Sequence, residues 1–412
     1  MVRFIANKFI GKSKEVAENT DEKFLKSSIQ AVARHILERP QNDEEWSDRG
    51  PYTSVSGTGL ALALNRDVLQ EVLHRSVNKE IQDIFNYCLQ NLSKNRERQA
   101  RYLCGDLGTL VASLNVSVRD DVIERIEQIS HILAEKSYPN DEVLYGRAGY
   151  LAGVLWIRYV HFCFIEKIDT NFSRTVNENL ISDDCVKRVL KAMYESGRKY
   201  SKKHNSPCPL FYEWHESEYI GAAHGLAGIY HTMMSFENLL APSELDDLKA
   251  SIDWLLTVQI TEGNWPSSSK WFGREREDQL IHWCHGASGV IHLYIQMYHK
   301  TRDEKYLEAC KLAGHLIWEK GVIKKGPGLC HGVSGNGYAF LMLYRLTSDE
   351  KWLSRALCFA RLMMDKDVQG QQRTPDSPYS LFEGWAGALC FLCDLLPERR
   401  DKAQFPLYPN TF

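Results

Sequence analysis

Cys284-His285-Gly286-Ala-Ser-Gly289 and, 46 residues later, Cys330-His331-Gly332-Val-Ser-Gly335 are two copies of one pattern, Cys-His-Gly-x-Ser-Gly. Agreement at so many positions marks an internal repeat, and a repeat has to be found before a fold is argued. Each copy sets a thiol and an imidazole beside a glycine-rich turn and then runs into an apolar stretch. Four residues able to ligate zinc therefore stand at equivalent points of two structural units.

The same punctuation runs along the chain. Gly-x-x-Gly recurs at Gly105–Gly108, Gly146–Gly149, Gly225–Gly228, Gly286–Gly289, Gly332–Gly335 and Gly384–Gly387, and Ser56-Gly-Thr-Gly59 reads as a degenerate first copy. Intervals of 41 to 79 residues separate the final glycines. Each holds two helices and their connections at a rise of about 1.5 Å per residue. The segments beginning at Glu244, Lys305 and Lys351 put apolar residues at three-to-four spacing, as a helix with one buried face does. They alternate with the uniformly apolar runs that follow the glycines. The expected fold is all-α: an α/α toroid of two concentric layers with seven helices in each. A closed ring needs no capping repeats, and single repeats cannot bury their apolar faces alone. Residues 1–412 therefore read as one domain, with a surface insertion around 166–210.

Composition narrows the function. The formal charge of −3 gives no field for nucleic acid or an anionic membrane. Eleven cysteines in 412 residues, with no secretory signal at Met1–Lys8, point to free thiols and metal ligands in a reducing compartment, and a cytoplasmic location is expected. Val2 excludes N-myristoylation. The longest apolar stretch, Tyr150–Ile165, is interrupted by Arg158 and His161 and reads as a buried helix, not a transmembrane one. Cys390 and Cys393 have redox spacing inside an apolar run, where core packing explains them better.

Equivalent residues of a ring point to one place. Before the first glycine of each repeat stand Cys104, Tyr145, His224, His285, His331 and Glu383, with Val55 in the degenerate copy. Helix-start chemistry would favour Ser, Asp or Asn there. This titratable set is expected to rim one end of a central cavity. Zinc takes four ligands in a closed structural site, or three with one position left for water or substrate. Adjacent residues rarely turn both side chains to one ion, so three ligands are the more economical reading of the two Cys-His pairs.

Several stretches resemble the LanC lanthionine-cyclase superfamily and, more narrowly, its eukaryotic LanC-like members. They are Leu103-Cys-Gly-Asp, Leu144-Tyr-Gly-Arg, Tyr212-Glu-Trp, Ala223-His-Gly-Leu-Ala-Gly, Trp283-Cys-His-Gly, Leu329-Cys-His-Gly and Arg373-Thr-Pro-Asp-Ser-Pro-Tyr-Ser-Leu-Phe-Glu-Gly. The resemblance implies zinc held by Cys284, Cys330 and His331, an acid/base role for His224, and glutathione binding by Lys325, Arg373 and Arg3. It implies addition of the glutathione thiol to dehydroalanine or dehydrobutyrine residues of proteins. Tyr145 and Asp106 are expected to help the proton transfer and Arg147 to stabilise an enolate. The expected partners are glutathione, proteins or peptides carrying dehydroamino acids, and protein kinases or signalling proteins. The competing readings are a non-catalytic glutathione-binding scaffold that senses redox state, a prenyltransferase-like catalyst, and a bacterial-style lantibiotic cyclase.

Overall fold

Seven helices that are apolar on every side form the inner wall of the molecule. They are Val55–Leu64, Asp106–Ser113, Arg147–Ile165, Leu226–Met234, Ala287–Thr301, Val333–Thr347 and Trp385–Asp394. A helix without a polar face is stable only when surrounded, and nine of the ten residues of Val55–Leu64 are buried. In the computed structural model, which describes residues 3–40, 44–165, 180–274 and 279–410, each inner helix packs on the next. The last packs on the first, closing the ring. An outer helix backs each inner one: Glu22–Leu37, Asn78–Gln90, Asp120–Leu133, Asp183–His204, Pro242–Thr257, Glu304–Lys320 and Glu350–Met364. The architecture is an α/α toroid of two layers.

The glycine repeat has one steric cause. A Cβ on the last glycine of each motif would collide with the carbonyl oxygen six residues earlier, at Pro51, Tyr102, Val143, Ala222, Trp283, Leu329 and Leu381. The chain doubles back on itself tightly before entering each inner helix, and only glycine fits the approach. This test corrects the register of the first repeat. The glycine against Pro51 is Gly57, not Gly59, and the helix is capped by Ser54. The first motif is therefore Ser54-Val-Ser-Gly57, and its rim residue is Thr53 instead of Val55.

The doubled-back strands join the repeats through their backbones. Cys330 N–H donates to Phe382 (2.7 Å), Phe382 to Tyr52 (3.1 Å), Tyr52 to Leu103 (2.9 Å), Val143 to Ala223 (3.0 Å), Ala223 to Cys284 (3.5 Å) and Cys284 to Cys330 (3.2 Å). These bonds run round the axis at one level and set the residues that follow into one collar.

Of the stretch 166–210 expected to be an insertion, residues 166–179 lie outside the described residues. Asp183–His204 is instead an outer helix. Its Cys185, Val186, Val189, Leu190, Met193, Gly197 and Ser201 recur at helical spacing and are buried against the neighbouring helices. Its basic residues cover the solvent face, and they hid the amphipathic period from a reading by charge.

The chain end fills the far side of the ring. Asn410 joins two inner-wall histidines, its side-chain amide donating to His292 Nδ1 (2.9 Å) and its carbonyl oxygen meeting His231 Nε2 (3.2 Å). Both rings are fully buried, and desolvation lowers His231 to about 4 and His292 to about 3. Cys390 and Cys393 are packed in the core, and burial raises both, Cys393 to about 12. No helix among the described residues is long and apolar enough to cross a membrane.

Two outcomes follow for stability. Gly57→Ala is expected to cost about 3 kcal/mol by urea denaturation. Gly59→Ala, whose Cβ meets only side chains of Ile84 (2.8 Å) and Phe85 (3.0 Å), should cost about 1 kcal/mol; the reverse order would restore the Gly59 register. The unfolded chain binds protons at His231 and His292 below pH ~6.5, while the folded chain does not until near pH 4 and 3. Stability should thus be complete above pH ~6.5 and fall as pH drops toward 4, by up to ~1.4 kcal/mol per pH unit per histidine. His292→Gln should flatten that dependence in denaturation curves collected across the same range.

Candidate metal centre and its cavities

Cys284 and Cys330 are equivalent residues of adjacent repeats, five before the last glycine, and the backbone bond between them makes them neighbours. His331 follows Cys330. The two sulfurs and an imidazole nitrogen lie within 4.8 Å of one another, with both thiols buried. The Cys330 thiol hydrogen-bonds the Cys284 sulfur and draws Cys284 well below the usual thiol range, while burial and the same bond hold the proton on Cys330. Two buried sulfurs and an imidazole, one sulfur already favouring its anion, form a donor set suited to zinc, with three ligands and a position to spare.

The twin dyad does not use its imidazole here. Gly286 has φ +121, whereas the equivalent Gly332 has φ −117. The first value is accessible to glycine and strained for other residues. It goes with a different setting of the preceding residue: His285 lies beside Tyr219 (5.3 Å between ring centroids) and His224 (6.1 Å). Burial lowers its pKa, and its Nδ1 has no hydrogen-bond partner among the described residues.

Cys284, Cys330 and His331 line a cavity of about 250 Å³ together with Arg3, Lys325 and His224. Backbone pairing brings Arg3 and Lys325, far apart in sequence, to its edge and sets Arg373 on the neighbouring segment. Residues 3–5 run antiparallel to 322–324, with Lys324 N–H donating to the Arg3 carbonyl (3.1 Å) and Ile5 N–H to that of Val322 (2.6 Å). Arg373 N–H donates to the Lys324 carbonyl from another segment (2.9 Å). A second cavity, about 550 Å³, adjoins the first and shares Tyr52, Leu144 and His224 with it. Of the seven rim positions, Thr53, Cys104, Tyr145, His224, His285 and His331 line one cavity or the other.

His224 is held from two sides. Glu142 bonds its Nδ1 at 2.6 Å, and that carboxylate, itself buried, is fixed by the N–H groups of Leu144 (3.0 Å) and Tyr145 (2.6 Å). Nε2 is left for a substrate. Trp214 stacks flat on the imidazole, 3.9 Å between centroids and 2° from parallel. A two-residue hairpin presents it: Trp214 and Ser217 exchange backbone hydrogen bonds across His215 (φ 48) and Glu216 (φ 58). Positive φ at two non-glycine residues is strain of the kind that collects at functional sites. Tyr145 lies nearly parallel to both rings, and burial raises its phenol, which is hydrogen-bonded to Cys104.

Two expected site residues serve elsewhere. Arg147 is buried, and every nitrogen of its guanidinium is engaged. It meets Asp141 Oδ1 (2.6 Å) and the carbonyls of Leu133 (2.7 Å), Glu135 (3.0 Å) and Tyr138 (3.1 Å), tying its helix to the preceding loop. Four of its five N–H donors are thus bound within the fold, and it is not among the residues lining either cavity. Asp106 is likewise buried, accepting from Ser93 N–H (2.6 Å) with Arg49 Nη1 at 3.5 Å, and it braces a loop. The reading from sequence missed Glu142, His282, which lies 3.9 Å from the Cys284 sulfur, and Arg101, whose guanidinium covers the Tyr145 ring at 5.1 Å. All three fall seven residues before the last glycine of their repeats, so aligning that second tier would have found them. Trp214 stands outside that tier; it lies in the Tyr212-Glu-Trp stretch, from which its stack on His224 was not read.

Fold and site define a helical toroid with a Cys₂His centre opening on paired cavities at one end of the ring. The lanthionine synthetase C-like protein family matches residues 45–409, and the chain belongs to it. It is 35% identical over 384 residues to the glutathione S-transferase LANCL1 of Danio rerio, covering 90% of this chain and 88% of the relative. Its fold is similar to that of nisin cyclase, with a TM-score of 0.63 at 15% identity, over 94% of this chain and 97% of the other.

The flat stack makes Trp214 emission a reporter of His224. Replacing His224 by Asn should change the part of the fluorescence that Trp214→Phe removes, and an unchanged contribution would mean that the stack does not persist in solution.

Proposed function

We propose that this protein adds the thiol of glutathione to dehydroalanine or dehydrobutyrine residues of proteins, forming a thioether. One observation carries the reading: a Cys₂His cluster, a carboxylate-held histidine and a cationic edge all meet at a single cavity. The similarity to a relative named as a glutathione S-transferase supports the choice of thiol.

Cys284, Cys330 and His331 would hold one zinc ion. Bound there, zinc supplies Lewis acidity that keeps a thiol of ordinary pKa near 8.5 ionised at neutral pH. The chain's own residues do the rest. Arg3, Lys325 and Arg373 offer charge to the two carboxylates of glutathione. The sulfur bonds the β-carbon of the dehydroamino acid, and the displaced π pair becomes an enolate. His224 then gives a proton to the α-carbon, completing the new C–H bond. Glu142 is a positioning residue that fixes the ring so that Nε2 faces the substrate. Tyr145 and Trp214 wall the imidazole in from the side and keep water from that face. Asp106 and Arg147 support the scaffold without touching the reacting atoms.

Elemental analysis beside glutathione addition to a dehydroalanine peptide, read by mass spectrometry, tests the proposal. About one zinc per chain is expected in wild type, lost in Cys330→Ala together with the adduct. His224→Asn should keep its zinc and lose roughly 100-fold or more in rate. Zinc and glutathione binding with no adduct from wild type would favour the non-catalytic scaffold and defeat the enzyme.

A further inference from the structure

The larger cavity carries a charge that the proposed chemistry does not use. Three arginines, Arg49, Arg98 and Arg101, line it with one acidic residue, Asp48, and the Arg49 guanidinium also donates to the Asn91 carbonyl (2.6 Å). The Asp48 carboxylate is already bonded to the Thr53 hydroxyl and the Arg49 N–H. Arg101 pairs with Glu97 through Nη2 (2.6 Å), but its Nε–H is buried and has no acceptor among the described residues. The exposed Arg98 side chain has no partner among the described residues. The contrast with Arg147, where every nitrogen is engaged within the fold, is physical. A buried donor without an acceptor is unfavourable unless something outside the chain meets it.

The geometry of the two cavities says what that something is attached to. The smaller one adjoins the thiol-binding cluster, and His224 stands in the wall common to both. An acceptor whose β-carbon faces the sulfur and whose α-carbon faces His224 must extend its remaining chain into the larger cavity. A dehydroamino acid is itself uncharged, so the arginines have nothing to read in the reacting residue. They can read only its neighbours.

We infer that the cavity lined by Arg49, Arg98 and Arg101 is the acceptor subsite, and that it selects dehydroamino acids flanked by anionic groups, carboxylate or phosphate. This rests on the addition reaction proposed above. Planar guanidinium groups suit both kinds of oxyanion. Two sources supply them: acidic side chains, and phosphorylated residues beside the damaged one. Asp106 braces Arg49 from behind, which gives that buried carboxylate a role in the subsite and none in proton transfer.

Peptides of one sequence with a central dehydroalanine, flanked by alanine, glutamate or phosphoserine, compete for glutathione addition in one vessel. Wild type should favour the anionic peptides about tenfold in kcat/KM at low salt, the ratio shrinking as salt screens the charges. In R98A/R101A the ratio should approach one, and Arg98→Lys should restore part of it. Phosphoserine well ahead of glutamate would identify phosphorylated proteins as the source, and equal rates would identify acidic sequences in general. Labelled peptides with alanine in place of dehydroalanine, titrated without glutathione, should bind in the same order. Equal binding of all three overturns the inference, whatever the turnover. An anionic preference in binding with no turnover on any peptide keeps the subsite and overturns the reaction.

Discussion

One steric approach recurs seven times and organises the molecule. Wherever the last glycine of a motif begins an inner helix, a carbonyl six residues upstream occupies the space a side chain would need. That approach forces the chain into a doubled-back strand before every inner helix. The strands then hydrogen-bond to one another round the axis. Without it there would be no common level, and Cys284 and Cys330 would not be adjacent.

A symmetric collar alone would make a symmetric site, and the proposed chemistry needs an asymmetric one. Symmetry is broken at a few backbone points. Gly286 takes a positive φ that its counterparts do not, so one Cys-His pair gives both side chains to the Cys₂His cluster and the other gives only its thiol. The N-terminal segment adds Arg3 from outside the repeat, and the hairpin at Trp214 covers His224. The Cys₂His cluster and the histidine are thereby separated, with a cavity on either side of the shared wall.

Buried polar groups divide by what meets them. Arg147, Asp106 and the His231–Asn410–His292 chain have partners inside the fold and stabilise it. Among the described residues His285 Nδ1 and Arg101 Nε are buried without hydrogen-bond partners, and both belong to residues at the two cavities, where a ligand's polar groups would meet them.

The repeat, the all-helical toroid and the pairing of Cys284 with Cys330 at equivalent positions were legible in the chain, because glycine spacing and apolar period are local consequences of backbone sterics. Alignment alone found five rim residues that line the cavities, Cys104, Tyr145, His224, His285 and His331. The first motif was misread by two residues, since Ser54 replaces its leading glycine and Gly59 offered a false match. Charge obscured the outer helix at Asp183–His204, whose buried face has normal helical spacing. Arg147 and Asp106 were drawn into the site by their place beside the motif, but a side chain's direction depends on partners brought in by folding. Glu142 against His224, Trp214 on the imidazole and Arg3 beside Lys324 join residues from separate segments. Sequence by itself determined the ring and its collar, because each unit obeys the same short-range steric rule. Only the tertiary structure decided which collar residues face the Cys₂His cluster, the cavities or the core, because those directions are set by contacts between repeats.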